Sequence, residues 1–203
     1  MPRLLLATTN QGKIAEYRYL FRGVSFELVT PVDEGIRAEV EEGEVSMEEN
    51  AQHKAAIYAD LSGLVTVADD SGLEVDALGG EPGIRSARYA GENASDRVRI
   101  EYLLRKMKGV SRERRTARFV CVIAVAMPQR IVEICYGECK GVIAFEPKGE
   151  NGFGYDPIFY LPEFEKTMAE LSIEIKNQIS HRARAAQKAC RVLEQLVKKV
   201  TPP

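Results

Sequence analysis

The segment from Thr66 to Gly91, T-V-A-D-D-S-G-L-E-V-D-A-L-G-G-E-P-G-I-R-S-A-R-Y-A-G, constrains this chain more than any other. Leu64, Val65, Val67 and Ala68 read as the end of a buried strand. Asp69 and Asp70 follow, and Ser71-Gly72 is expected to turn the chain. Neighbours on a strand point to opposite faces, so the two acids cannot share one role if the strand runs through them. A carboxylate at the end of an apolar strand is costly to bury unless a cation or hydrogen-bond donors meet it. Two readings are open. One is a divalent-metal ligand with a general base; the other is a turn in which the Asp side chains accept backbone N–H groups. Downstream, Gly79-Gly80, Pro82-Gly83 and the cations Arg85 and Arg88 beside Tyr89 form a rigid, charged loop, which favours the first reading.

The remaining composition limits the alternatives. The chain has 203 residues, enough for one large domain or two packed lobes. Lys and Arg total 28 against 30 Asp and Glu, a net charge of −2, which argues against a general nucleic-acid or membrane-surface binder. No apolar run has the length of a membrane span, and the N-terminus lacks the long apolar core of a signal peptide, so a cytoplasmic protein is expected. The four cysteines read as reduced, mostly buried thiols. Cys135 and Cys139 have a spacing open to zinc, but no second Cys or His pair lies nearby.

Along the chain, Leu4–Ala7 reads as a buried strand, followed by the polar loop Thr8-Thr9-Asn10-Gln11-Gly12-Lys13 and a helix from about Lys13 to Phe21. Strand, Gly-containing loop and helix start can hold phosphate through backbone N–H groups and the Lys13 ammonium, although the P-loop spacing is absent. Phe26–Thr30 is a second strand. The acidic run from Asp33 to Glu49 reads as a solvated loop leading to a helix from about Ser46 to Leu61, with Ser46 and Glu49 as a capping box. Another helix runs from Ala94-Ser95-Asp96 to about Lys108. The four arginines of Ser111–Arg118 read as a solvated loop, because no aromatic residues interleave to stack nucleic-acid bases. Phe119–Met127, Ile131–Tyr136 and Cys139–Phe145 read as strands, separated by Gly137 and Gly141. The Gly-rich loop 146–157 holds Phe153, Tyr155 and Asp156; its rings can stack on a flat ligand or fill the core. A short strand, Ile158–Tyr160, and a helical turn, Thr167–Leu171, come next. The last helix reaches about Val200, with Ser180 as its N-cap and His181 as a solvated first-turn residue. His53 reads as incidental.

Five segments now stand together: Thr8–Lys13, Glu41–Lys54, Ala68–Gly91, Phe153–Pro157 and Lys176–Arg182. A-T-T-N-Q-G-K, A-D-D-S-G-L, L-G-G-x-P-G-x-x-S-A-R-Y, G-F-G-Y-D-P and S-H-R, in this order, resemble the inosine/xanthosine triphosphate pyrophosphatases, nucleotide house-cleaning enzymes, over essentially the whole chain. The resemblance implies an α/β fold with a long curved mixed β-sheet and flanking helices, a single domain over residues 1–203 with two lobes around a central cleft. It implies Mg2+-dependent cleavage of ITP, dITP and XTP between the α- and β-phosphates, and a homodimer. By the same resemblance, Thr8, Thr9, Asn10, Gln11, Gly12 and Lys13 cradle the phosphates and Lys54 contacts them. Glu41, or its neighbour Glu42, holds the metal with Asp70. Asp70 also takes the proton of the attacking water, Asp69 supports it, and Ser71 touches substrate. Phe153 stacks on the base, within a loop continued by Gly154, Tyr155 and Asp156. Lys176, His181 and Arg182 reach the base and phosphates. Glu44 departs from the small residue that relatives often carry there.

Overall fold

A computed structural model describes residues 1–38, 40, 43 and 45–200, the side chains of 199 and 200 excepted. The proposed metal ligands Glu41 and Glu42, and Glu44, lie outside the described residues.

The chain is a mixed α/β protein. Its seven strands follow the order β2-β1-β3-β4-β5-β6-β7 in one sheet: β1 Arg3–Leu6, β2 Glu27–Val29, β3 Val65–Val75, β4 Thr116–Met127, β5 Arg130–Ile143, β6 Phe159–Leu161 and β7 Lys166–Thr167. β1 pairs in parallel with both β2 and β3, whereas β5–β6 and β6–β7 are antiparallel. The helices are α1 Gln11–Leu20, α2 Met47–Ser62, α3 Asp96–Lys106, α4 Ile173–Ile179 and α5 His181–Val200.

Local chemistry explains several boundaries. Asn10 caps α1 by accepting from the Lys13 N–H, and Ser46 caps α2 by accepting from Glu49. Gly63, at φ 71°, ends α2 in the left-handed conformation that favours glycine. Pro128-Gln129 joins β4 to β5, a two-residue connection of the kind that links antiparallel neighbours.

Residue contacts divide the chain into two compact units, each built from separate stretches. The first comprises the described residues of Met1–Asp70, Cys121–Gly137 and Arg182–Pro203; the second comprises Ser71–Val120 and Glu138–His181. Each has its own core. In the first, Leu4, Leu6 and Val67 pack with Tyr17 of α1, Ile123 and Val125 of β4, and Ala185, Ala189 and Leu193 of α5. In the second, Leu73 and Val75 pack with Leu103 and Met107 of α3, Phe119 of β4, and Ile158 and Phe159.

The structure corrects four expectations. Ser71-Gly72 does not turn the chain: β3 continues to Val75, because Leu73 and Val75 are fully buried and extend the pattern that began with Val67. Gly137 does not separate two strands, and β5 is continuous. Arg115 is not solvated. It is 2% exposed and donates to the carbonyls of Ile143 (2.7 Å), Met107 (3.2 Å) and Ala144 (3.0 Å), while Arg118 pairs with Glu74 and Glu138. Two of the four arginines considered for nucleic acid are therefore engaged by the protein itself. His181 is buried, stacked on Phe119 with ring centroids 4.7 Å apart. Cys135 and Cys139 lie in separate cores, which removes the basis for pairing them on zinc.

Candidate functional site

In the first unit the site is assembled around β3. The Ala7 N–H donates to Val67 O at 2.8 Å, bringing the end of β1 beside the approach to the two acids. Thr8 Oγ1 accepts from the Asn10 N–H and Asn10 Oδ1 from the Lys13 N–H, so Thr8–Asn10 is a structured link and Gln11, Gly12 and Lys13 form the first turn of α1. That turn carries no acid. Lys13 lies with its ammonium 3.1 Å from Asp69 Oδ1.

Asp69 and Asp70 have different surroundings. Asp69 shares its strand register with Val67 and turns toward α1 and α5. There Arg182 approaches its Oδ2 at 3.5 Å while donating to Glu16 at 2.6 Å, and the Cys121 thiol lies 3.8 Å from the same oxygen. Lys54 donates to the Asp69 carbonyl at 3.4 Å. Burial pushes the Asp69 carboxyl up, but Lys13, then Arg182 and Lys54, outweigh it and hold the group at about 2. Burial acts against the Arg182 charge as well, yet Glu16 and Asp69 raise its pKa well above the usual guanidinium value. Burial and the Asp69 charge push the Cys121 thiol up to about 12, so it is a neutral core group. Asp70 turns instead toward α2 and accepts from Asn50 Nδ2 at 2.9 Å; the same amide donates to Gly43 O at 3.2 Å. Asn50 also lines a recess of about 670 Å3 with Gly43, Glu49, His53 and Ile131. His53, expected to be incidental, is thus part of that wall.

In the second unit, Ser71 lies on β3 and is half-buried. The loop 152–156 carries Phe153 and Gly154 half-buried and Tyr155 and Asp156 buried. Asp156 Oδ2 accepts from the Phe153 N–H at 2.9 Å and pairs with the Lys176 ammonium. Lys176 also sits 5.0 Å from the centroid of the Phe153 ring. A side chain at Gly152 would collide with the Asp156 carboxylate, so the close approach requires glycine, as does its φ of 76°. Tyr155 donates to Ser86 O at 3.0 Å, and Ser86 Oγ accepts from the Leu73 N–H at 2.9 Å, which joins G-Y-D-P, S-A-R and A-D-D-S-G-L into one hydrogen-bonded framework.

The expected residues therefore fall into two sets. Thr8–Lys13, Lys54, Asp70 and Arg182 belong to the first unit; Ser71, Phe153–Asp156, Lys176 and His181 belong to the second. Sequence reasoning missed Glu16, Asn50 and Asp96. Glu16 follows Lys13 by three residues and Asn50 precedes Lys54 by four, so helical spacing alone could have flagged both. Asp96 was read as part of a helix start, and nothing local connects it to the aromatic loop.

Comparison with known proteins adds to this geometry. The Ham1 family model matches residues 4–192. A dITP/XTP pyrophosphatase of Desulforamulus reducens is 47% identical over 194 residues, 96% of each chain, and one of Geobacillus kaustophilus is 48% identical over 197 residues, 97% of each. Among solved structures, a HAM1 protein from Coxiella burnetii is similar at TM-score 0.86 and 40% identity, covering 96% of this chain and all of that one.

Proposed function

The chain belongs to the Ham1 family, and on that premise we propose that it hydrolyses non-standard purine nucleoside triphosphates, ITP, dITP and XTP, to the monophosphate and pyrophosphate. The observation that carries the reading is the divided pair of acids. Asp69 is committed to three cations, whereas Asp70 is oriented by an amide, Asn50, in the same unit as Lys13 and Lys54. One acid organises positive charge for phosphates; its neighbour is left for chemistry on water.

In this mechanism the Thr8–Lys13 segment, through the N–H groups of Thr9, Gln11 and Gly12, and the ammonium groups of Lys13 and Lys54 bind the triphosphate and offset charge as the pyrophosphate leaves. Asp70 accepts the proton of the water that attacks the α-phosphorus. Its carboxylate is also an oxygen donor suited to a hard cation such as Mg2+, with Glu41 or Glu42 as the second ligand. When bound, Mg2+ supplies neutralisation of phosphate charge and a more acidic water. Arg182 acts through Asp69, given its two carboxylate partners.

Phe153 provides the stacking surface for the base, supported by the Asp156–Lys176 pair, and Ser71 contacts substrate. His181 donates to the 6-oxo group of hypoxanthine or xanthine. Adenine carries a donor at that position, and a mispaired buried polar group costs about 1–3 kcal/mol. We further place the protein in the cytoplasm as a homodimer with no nucleic-acid or membrane partner. The net charge of −2 argues against a nucleic-acid or membrane-surface partner, and no described helix is long and apolar enough to cross a membrane.

Pyrophosphate release from ITP, XTP, dITP, GTP and ATP, with and without Mg2+, tests the reading. Metal-dependent release from the first three is expected, with ATP far slower, and Asp70→Asn should abolish it without lowering the melting temperature. Release of orthophosphate, or full activity in Asp70→Asn, would overturn it.

A further inference from the structure

We propose that Asp96 and Arg99, in the first turn of α3, are positioning residues that set the direction of the Phe153 ring and thereby the affinity for the base. The inference rests on the reading of Phe153 as the stacking surface.

Two consecutive backbone N–H groups flank the Phe153 Cα. Its own donates to Asp156 Oδ2 at 2.9 Å, and that of Gly154 donates to Asp96 Oδ2 at 2.6 Å. The two acceptors reach the loop independently: Asp156 from three residues downstream, Asp96 from another element, 58 residues away. Each carboxylate is matched with a cation, Lys176 for Asp156 and Arg99 for Asp96. Fixing the N–H groups on both sides of one residue restricts its φ and ψ, and the side chain follows the backbone. Gly152 and Gly154, at φ 76° and 63°, would otherwise leave this stretch loose.

Arg99 extends the clamp. Its guanidinium donates to Ala87 O at 2.6 Å and Ala94 O at 2.8 Å, so the group that orients Asp96 also holds the S-A-R segment. Tyr155 is bonded to Ser86 in that same segment. The start of α3 thus ties the aromatic loop to the turn before it, within one compact unit. A half-buried hydrogen bond to a charged acceptor is strong enough for its loss to be read in binding.

The experiment compares Asp96→Ala, Asp96→Asn and Phe153→Ala in the full-length protein. For Asp96→Ala, the KM for ITP should rise about tenfold with kcat within about twofold, the shift expected from losing one charge-assisted hydrogen bond. Inhibition by tripolyphosphate, which has no base, should not change. Asp96→Asn keeps an acceptor oxygen and should recover much of the affinity. Hydrogen exchange of the 152–156 segment should quicken in Asp96→Ala and less in Asp96→Asn. An unchanged KM in Asp96→Ala, or equal weakening of ITP and tripolyphosphate, overturns the proposal. If Asp96→Ala does not fold, Arg99→Met, which removes the cation paired with Asp96, decides by the same two readouts. Phe153→Ala separates the two failures. A silent Phe153→Ala removes the stacking reading and this proposal with it, whereas a strong effect there beside a silent Asp96→Ala removes the positioning role alone.

Discussion

Asp69 and Asp70 are identical side chains one peptide bond apart, and strand geometry sends them to different partners. Asp69 meets Lys13 and Arg182, and Asp70 meets Asn50. The consequence for Asp69 can be measured. Its carboxyl is held at about 2, below the usual 3.8, so the folded state binds its proton less readily than the unfolded chain. The stability it contributes is fully present above about pH 4 and is lost as pH falls from there through about 2. Lys13 is the largest opponent of burial, so Lys13→Met should weaken the protein at neutral pH and flatten this acid limb. Urea midpoints of both proteins between pH 7 and 2.5 should converge on acidification; parallel curves would refute the assignment. The residue types at this site were legible in the sequence, as was the divergence of the two acids. Their partners were less so, since Glu16 meets Arg182 from 166 positions away and Asn50 meets Asp70 from 20.

At the scale of elements, strands and helices were readable where local signals agree, as at the start of α2 beside Ser46 and of α3 beside Ser95. They misled where a local signal was overruled by neighbours. Ser71-Gly72 has turn chemistry, but β3 lies between β1 and β4 in the sheet, and neither Gly72 nor Gly137 takes a positive φ. Sheet pairing and burial of Leu73 and Val75 outweigh a weak turn preference. Arg115 was read as solvated along with the other arginines of its segment, and only the fold supplies the carbonyls that bind it. The loop 152–156 shows the reverse case, in which a glycine is demanded by a contact. Gly152→Ala would drive a Cβ into Asp156 and strain a φ of 76°. We expect it to weaken ITP binding by about tenfold or more, through loss of the Asp156–Lys176 support, while far-UV circular dichroism stays native. Unchanged affinity would mean that this pair does not support the base.

For the whole molecule, the telling feature is that single strands serve two cores. β3 gives Val67 to one and Leu73 and Val75 to the other, and β4 likewise gives Ile123 and Phe119. Leu6→Ala in the first core and Leu73→Ala in the second should each destabilise by about 2–5 kcal/mol. Because the strands are continuous, we expect both variants to shift one cooperative unfolding transition, followed by circular dichroism and by calorimetry. Two separated transitions would show that the cores unfold independently.

Local patterns in the chain already carried the chemistry available, namely the T-T-N-Q-G-K loop, the adjacent acids, the aromatic Gly-rich loop and the S-H-R triplet, and the α/β class followed from the family that those motifs resemble. Local physics is enough to read such patterns. Folding was needed to bring each carboxylate to its cation, to stack His181 on Phe119 away from water, and to set Asp96 against the Gly154 N–H. Those outcomes depend on side chains brought together by burial of the two cores, and burial has no fixed spacing along the chain.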